Sequence, residues 1–135
     1  MSFSDHKLHF DFTITGWIRL DDLTADYTIY SKDRGVFPNS TVFRGYVTAT
    51  DGSLKVDLAD FDDFSTVESL VSTGSNKVPE KDWTLVGYSV TMKTTTTNAD
   101  VRLWIDNTSG ETFSTTNVIY LDDSTAHSAY LGAYR

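Results

Sequence analysis

Apolar and polar residues alternate along most of this chain. Between Leu8 and Leu20, the residues Leu8, Phe10, Phe12, Ile14, Ile18 and Leu20 share one parity with Gly16. His9, Asp11, Thr13, Thr15, Trp17 and Arg19 share the other. Strand side chains point alternately to two faces, so this segment predicts a half-buried strand. The same reading predicts strands at 27–31, 41–50, 53–58, 65–71, 83–92, 101–106, 112–121 and 126–134. Asp51-Gly52 lies between two alternating runs and predicts a tight hairpin turn, in which both central residues take positive φ. Trp83 opens a very apolar strand and is expected in the core. Turn-rich stretches separate the strands, at 33–40, 57–63, 74–81, 94–99, 107–110 and 122–125. Many short strands at this spacing predict an antiparallel sandwich or barrel, with no βαβ unit. No repeat or linker divides the chain, so 1–135 reads as a single domain.

Composition sharpens this picture. The 135 residues include 20 Thr and 14 Ser, and Thr suits the solvated face of a sheet. Three Glu and no Gln leave little helix-forming material. With 39% hydrophobic and 13% aromatic residues, the chain is too apolar to be disordered. The absence of Cys removes disulfides, thiolate metal sites and cysteine nucleophiles. A net charge of -8 argues against nucleic acid and against anionic membrane surfaces. No apolar run is long enough to span a bilayer, so no membrane insertion is expected. The opening residues show no basic stretch followed by an apolar one, so no signal peptide is expected there.

Four segments in order carry a resemblance. They are Phe12-Thr13-Ile14-Thr15-Gly16-Trp17-Ile18, Tyr27-Thr28-Ile29-Tyr30-Ser31-Lys32, Trp83-Thr84-Leu85-Val86-Gly87-Tyr88 and Val101-Arg102-Leu103-Trp104-Ile105-Asp106-Asn107, with Ala129-Tyr130-Leu131-Gly132 as a weaker fifth. Together they resemble laminin-G-like domains of the concanavalin A-like lectin and glucanase superfamily. The resemblance implies an all-β, antiparallel two-sheet jelly-roll sandwich. It implies a recognition module for glycan or protein ligands, often with one bound calcium ion. Relatives usually carry a further strand before the first segment and another after the last. The expected gap leaves a sheet border that either residues 2–10 fill or a neighbouring subunit does. The second possibility makes the chain a structural subunit of a larger assembly, joined by self-association at an open sheet edge.

The candidate chemistry follows from these faces. Trp17, Tyr46 and Trp104 have polar same-parity neighbours and are candidate sugar platforms, because an indole or phenol ring stacks on the C–H face of a sugar; the alternative for Trp17 and Trp104 is a place in the core, since parity alone does not say which face is inside. Trp17 shares its parity with Thr13 and Arg19, and Trp104 with Arg102 and Asp106. Asp57, Asp60, Asp62 and Asp63 form the densest acidic cluster and are candidate calcium ligands, since Ca²⁺ prefers hard oxygen donors. Otherwise they make a solvated acidic loop. Catalysis finds little support. The paired-carboxylate pattern of related glycan hydrolases is missing, and Glu68, Glu80 and Glu111 lie far apart in sequence. His6, His9 and His127 accompany no nucleophile elbow. The expectation is therefore a binding or assembly module and not an enzyme.

Overall fold

A computed structural model describes residues 2–3, 11–33, 41–59, 67–72, 76–92, 98–106, 108, 110–115 and 129–131. They form ten strands: β1 (Ser2–Phe3), β2 (Asp11–Ile18), β3 (Tyr27–Asp33), β4 (Thr41–Val47), β5 (Leu54–Ala59), β6 (Val67–Val71), β7 (Thr84–Met92), β8 (Ala99–Ile105), β9 (Glu111–Ser114) and β10 (Ala129–Leu131). Six make one sheet in the order β1-β10-β3-β4-β5-β6, and four make the other in the order β2-β7-β8-β9. Every pairing between these strands is antiparallel. The architecture is an all-β, two-sheet sandwich, which the alternation left open beside a barrel and the resemblance implied. Among the described residues no helix is long and apolar enough to cross a membrane. The loop expected at 94–97, the acidic residues 60–63 and the segment 116–128 lie outside the described residues.

The core is built from one parity of each strand. Phe12, Ile14 and Ile18 of β2 pack against it, and in β8 Ala99, Val101, Leu103 and Ile105 are buried. From the opposite sheet come Phe43 and Val47 of β4, with Leu54, Val56 and Leu58 of β5. Phe43 ties the layers together. Its ring meets Phe12 edge-on at 5.1 Å and Tyr88 edge-on at 6.2 Å. Burying each such side chain contributes roughly 1.5–3 kcal/mol. Gly45 makes room for the Tyr88 ring, because a Cβ there would stand 2.9 Å from its Cζ.

Two local expectations are corrected. Trp83 is 67% exposed and lies outside the core. The buried parity of β7 is Thr84, Val86, Tyr88 and Val90, so Trp83 falls on the outward parity just before the strand begins. The Asp51-Gly52 pair is not a two-residue hairpin tip. The connection runs from Thr48 to Ser53, and positive φ falls on Thr50 and Gly52, not on Asp51. Asp51 instead organises the loop. Its Oδ1 accepts from the Thr48 hydroxyl and the Ser53 amide, and its Oδ2 accepts from the Ser53 hydroxyl. Thr50 donates its amide to the Leu23 carbonyl, which moors the loop to its neighbour.

The border beside β3 is filled from within the chain. Ser2 pairs with Tyr130 and Phe3 with Ala129, while β10 pairs on its other side with β3.

Candidate functional site

The outer face of the four-stranded sheet can be read row by row from the strand register. Trp17 lies opposite Leu85. The next row is Thr15, Gly87 and Trp104. Then come Thr13, Ser89, Arg102 and Thr112. The last row is Asp11, Thr91, Asp100 and Ser114. This is the outward parity of β2, β7 and β8, whose other parity fills the core.

Two glycines shape the face. Trp104 lies across Gly87, so a Cβ at Gly87 would stand 2.1 Å from its Cε2 and Cζ2. An aromatic ring laid over a strand glycine covers exposed backbone and is held flat by it. Arg102 lies against Gly110, where a Cβ would stand 3.0 Å from its Cγ and Nε. Among the described residues the Arg102 guanidinium has no hydrogen-bond or ion-pair partner. Asp106 follows β8 with φ at +52° and bonds twice to Leu85, donating its amide to the carbonyl and accepting the Leu85 amide at Oδ1. Thr13, Ser89, Arg102, Trp104, Asp106, Thr108 and Gly110 line a depression of about 390 Å³. It offers a flat indole, a free cation, hydroxyls and a carboxylate within one concavity.

A second depression, of about 480 Å³, opens at the β2 border between Trp17 and Trp83. Its walls are largely apolar, with Ile14, Ile18, Leu20 and Ile29.

The three aromatics picked from the sequence do not form one site. Trp17 and Trp104 share the face just described. Tyr46 lies on the outer face of the six-stranded sheet and is 4% exposed. The Arg44 guanidinium sits 4.2 Å from its ring centroid and the Lys55 ammonium 5.3 Å away. Burial pushes the Tyr46 hydroxyl above its ordinary range. This clamp explains why a residue of outward parity is no platform.

Of the candidate calcium ligands only Asp57 lies among the described residues. Asp57 accepts from the Ser69 hydroxyl at Oδ1, 2.6 Å away, and the Lys55 ammonium stands 3.6 Å from the same oxygen. Asp60, Asp62 and Asp63 lie outside the described residues. No group of three His, Cys, Asp or Glu among the described residues is placed to hold a metal. Asp22 works as a turn cap. Its Oδ1 accepts from the Thr24 hydroxyl, the Thr24 amide and the Tyr27 hydroxyl. These bonds, that of the Thr24 hydroxyl foremost, lower its carboxyl from the usual 3.8 to about 2. Glu80 accepts the Leu23 amide at 3.1 Å.

The positions of Gly87 and Gly110 were missed by motif reading. A glycine inside a strand was the available signal at Gly87, since it often marks a close approach.

No family model and no curated protein matches the sequence. Solved structures do. The IT-sialidase carbohydrate-binding module CBM40 of Ruminococcus gnavus, bound to α2,3 sialyllactose, superposes with a TM-score of 0.66 at 16% identity. The unbound module gives 0.63 at 16%, and the α2,6 sialyllactose complex 0.64 at 15%. These matches cover 88% of this chain and 61–62% of the solved chains, so the chain spans about three-fifths of their length. At this identity the likeness is one of fold. It supports a β-sandwich and does not single out the laminin-G branch.

Proposed function

We propose that this chain is a non-catalytic glycan-binding module that takes an acidic glycan on the outer face of its four-stranded sheet. The observation that carries the reading is the unpartnered Arg102 guanidinium beside the Trp104 indole lying across Gly87. A guanidinium presents a planar fork of donors that matches a carboxylate in two parallel bonds. An indole offers an apolar face for the C–H side of a pyranose ring. Ser89, Thr13 and Asp106 then stand where hydroxyls need donors and acceptors. The solved neighbours that bind sialyllactose support the same ligand class, a sugar acid carried on a neutral disaccharide.

Titration calorimetry with α2,3-sialyllactose tests the reading. The wild type is expected to bind it and to bind lactose far more weakly. Arg102→Ala removes a charge-assisted contact worth about 1.5–3 kcal/mol, roughly a 10- to 150-fold loss. Trp104→Ala is expected to lose binding as well, with little change in melting temperature. Absence of sialyllactose binding, or unchanged affinity in both variants, overturns the reading.

A further inference from the structure

We infer that the β2 border of this sheet carries a second, apolar subsite at Trp17 and Trp83, which takes the neutral sugars to which the acidic sugar is linked. This rests on the glycan reading above and assigns a separate part of the ligand to a separate part of the surface.

Trp17 and Trp83 are 63% and 67% exposed, the large apolar side chains left open to water among the described residues. One exposed apolar residue is ordinary, but two tryptophans flanking one groove mark a surface that something covers. Nothing stands within 4 Å of where a Cβ of Gly16 would lie, so the groove stays open between its walls.

The groove opens at the β2 border, between Trp17 and the β3 residues Tyr27, Thr28 and Ile29, and it shares no lining residue with the Arg102–Trp104 depression; the outward parity of the sheet links the two. Trp17 sits opposite Leu85, and the next outward position of β7 is Gly87, which carries the Trp104 indole. Thr15 and Gly87 lie in the row between Trp17 and Trp104. Two strand spacings and one two-residue step place the Cα atoms of Trp17 and Trp104 about 12 Å apart. An oligosaccharide spans that distance and a single pyranose ring does not.

Charge separates the two ends. Arg102 is free to meet an anion. Arg19, the cation lining the apolar groove, is already engaged: its Nε donates to the Lys81 carbonyl at 2.8 Å and its guanidinium pairs with Asp21 at 3.3 Å. The groove is therefore electrically quiet and suits a neutral ring presenting its C–H face. A trisaccharide with its acid at Arg102 and its hexoses toward Trp17 and Trp83 matches this order.

The test compares free sialic acid, lactose and sialyllactose by calorimetry on the wild type, Trp17→Ala, Trp83→Ala and Arg102→Ala. Sialyllactose is expected to bind the wild type about tenfold more tightly than free sialic acid. Trp17→Ala and Trp83→Ala are expected to bring sialyllactose down to the monosaccharide's affinity and to leave free sialic acid unchanged. Arg102→Ala is expected to weaken both acidic ligands alike. Both tryptophans are exposed, so thermal melts should show folded variants. Equal affinities for the two acidic ligands, or full trisaccharide affinity in both tryptophan variants, overturns the subsite while leaving the Arg102 site standing. No binding of either acidic ligand overturns both readings. A concentration-dependent dimer that Trp17→Ala abolishes would make the groove a contact between copies, and would overturn the subsite too.

Discussion

The two outer faces of this sandwich carry the same local motif and use it in opposite ways. On the six-stranded sheet Arg44 and Tyr46 stand two apart on one strand, and on the four-stranded sheet so do Arg102 and Trp104. At Arg44 the guanidinium lies over its own neighbour's ring at 4.2 Å and donates from Nε to the Thr28 hydroxyl at 3.0 Å. Lys55 lies opposite Tyr46 on the adjacent strand and covers the ring further. Trp104 instead faces Gly87 across the ladder, so the indole falls sideways onto bare backbone. Arg102 falls against Gly110 and keeps its donors free. A cation and an aromatic two residues apart therefore do not define a site. The residue opposite the aromatic decides whether the pair closes on itself or stays open to a ligand.

Tyr46→Ala gives the largest expected effect of this contrast, and it falls on stability. Truncating a ring that is 4% exposed costs about 3 kcal/mol, near the lower end for buried aromatics. Sialyllactose affinity should stay at the wild-type value, because Tyr46 lies on the other face. Chemical denaturation beside calorimetry checks both halves. A stable variant with lost binding would reverse the assignment of the two faces.

Gly87→Val comes next and acts on binding. The new Cβ meets the indole 2.1 Å away, so Trp104 must lift off the sheet. The expected loss is about 2 kcal/mol of binding, roughly thirtyfold, because the flat platform is gone. The stability change should be smaller, since an outward ring has solvent to move into. Unchanged affinity would show that the flat pose of Trp104 is not what the ligand meets.

Much of this was legible in the chain itself. The parity of 12–20 put Phe12, Ile14 and Ile18 on one face and Trp17 on the other, because a half-buried strand must separate its two faces, but which face meets the second sheet was not written in the alternation. The same parity set Trp104 beside Arg102. What alternation could not show was which strands lie next to one another. Tyr46 and Trp104 look alike along the sequence, and Lys55 opposite one and Gly87 opposite the other are facts of register. Trp83 misled for a simpler reason: an apolar strand has an inward and an outward parity, and its first aromatic fell one residue before the strand on the outward one. The Asp51-Gly52 pair marked a turn correctly, but a carboxylate gathering the Thr48 and Ser53 donors made a longer loop than the pair alone specifies.

Acidification gives the smallest effect and tests whether either face controls the stability of the fold. The carboxylates with lowered values sit in loops. Asp22 is held at about 2 by the Thr24 and Tyr27 donors, and Asp51 is held lower still, chiefly by the Thr48 hydroxyl. In the unfolded chain both return to the ordinary Asp range, near 3.9. A group depressed on folding contributes stability above its unfolded value and loses it as pH falls through the folded one. The melting temperature should therefore be level from pH 7 to about 5 and decline between about pH 4 and pH 2. Both carboxylates are solvent-exposed, so the decline should be modest. Asp22→Asn should lower the melting temperature at pH 7 and flatten the acid decline, because the amide keeps an acceptor but no charge to protonate. Trp104→Ala and Arg102→Ala should leave the shape of that decline unchanged. An acid transition that moves with Arg102 and not with Asp22 would place the fold's pH response on the binding face and break the separation between the two.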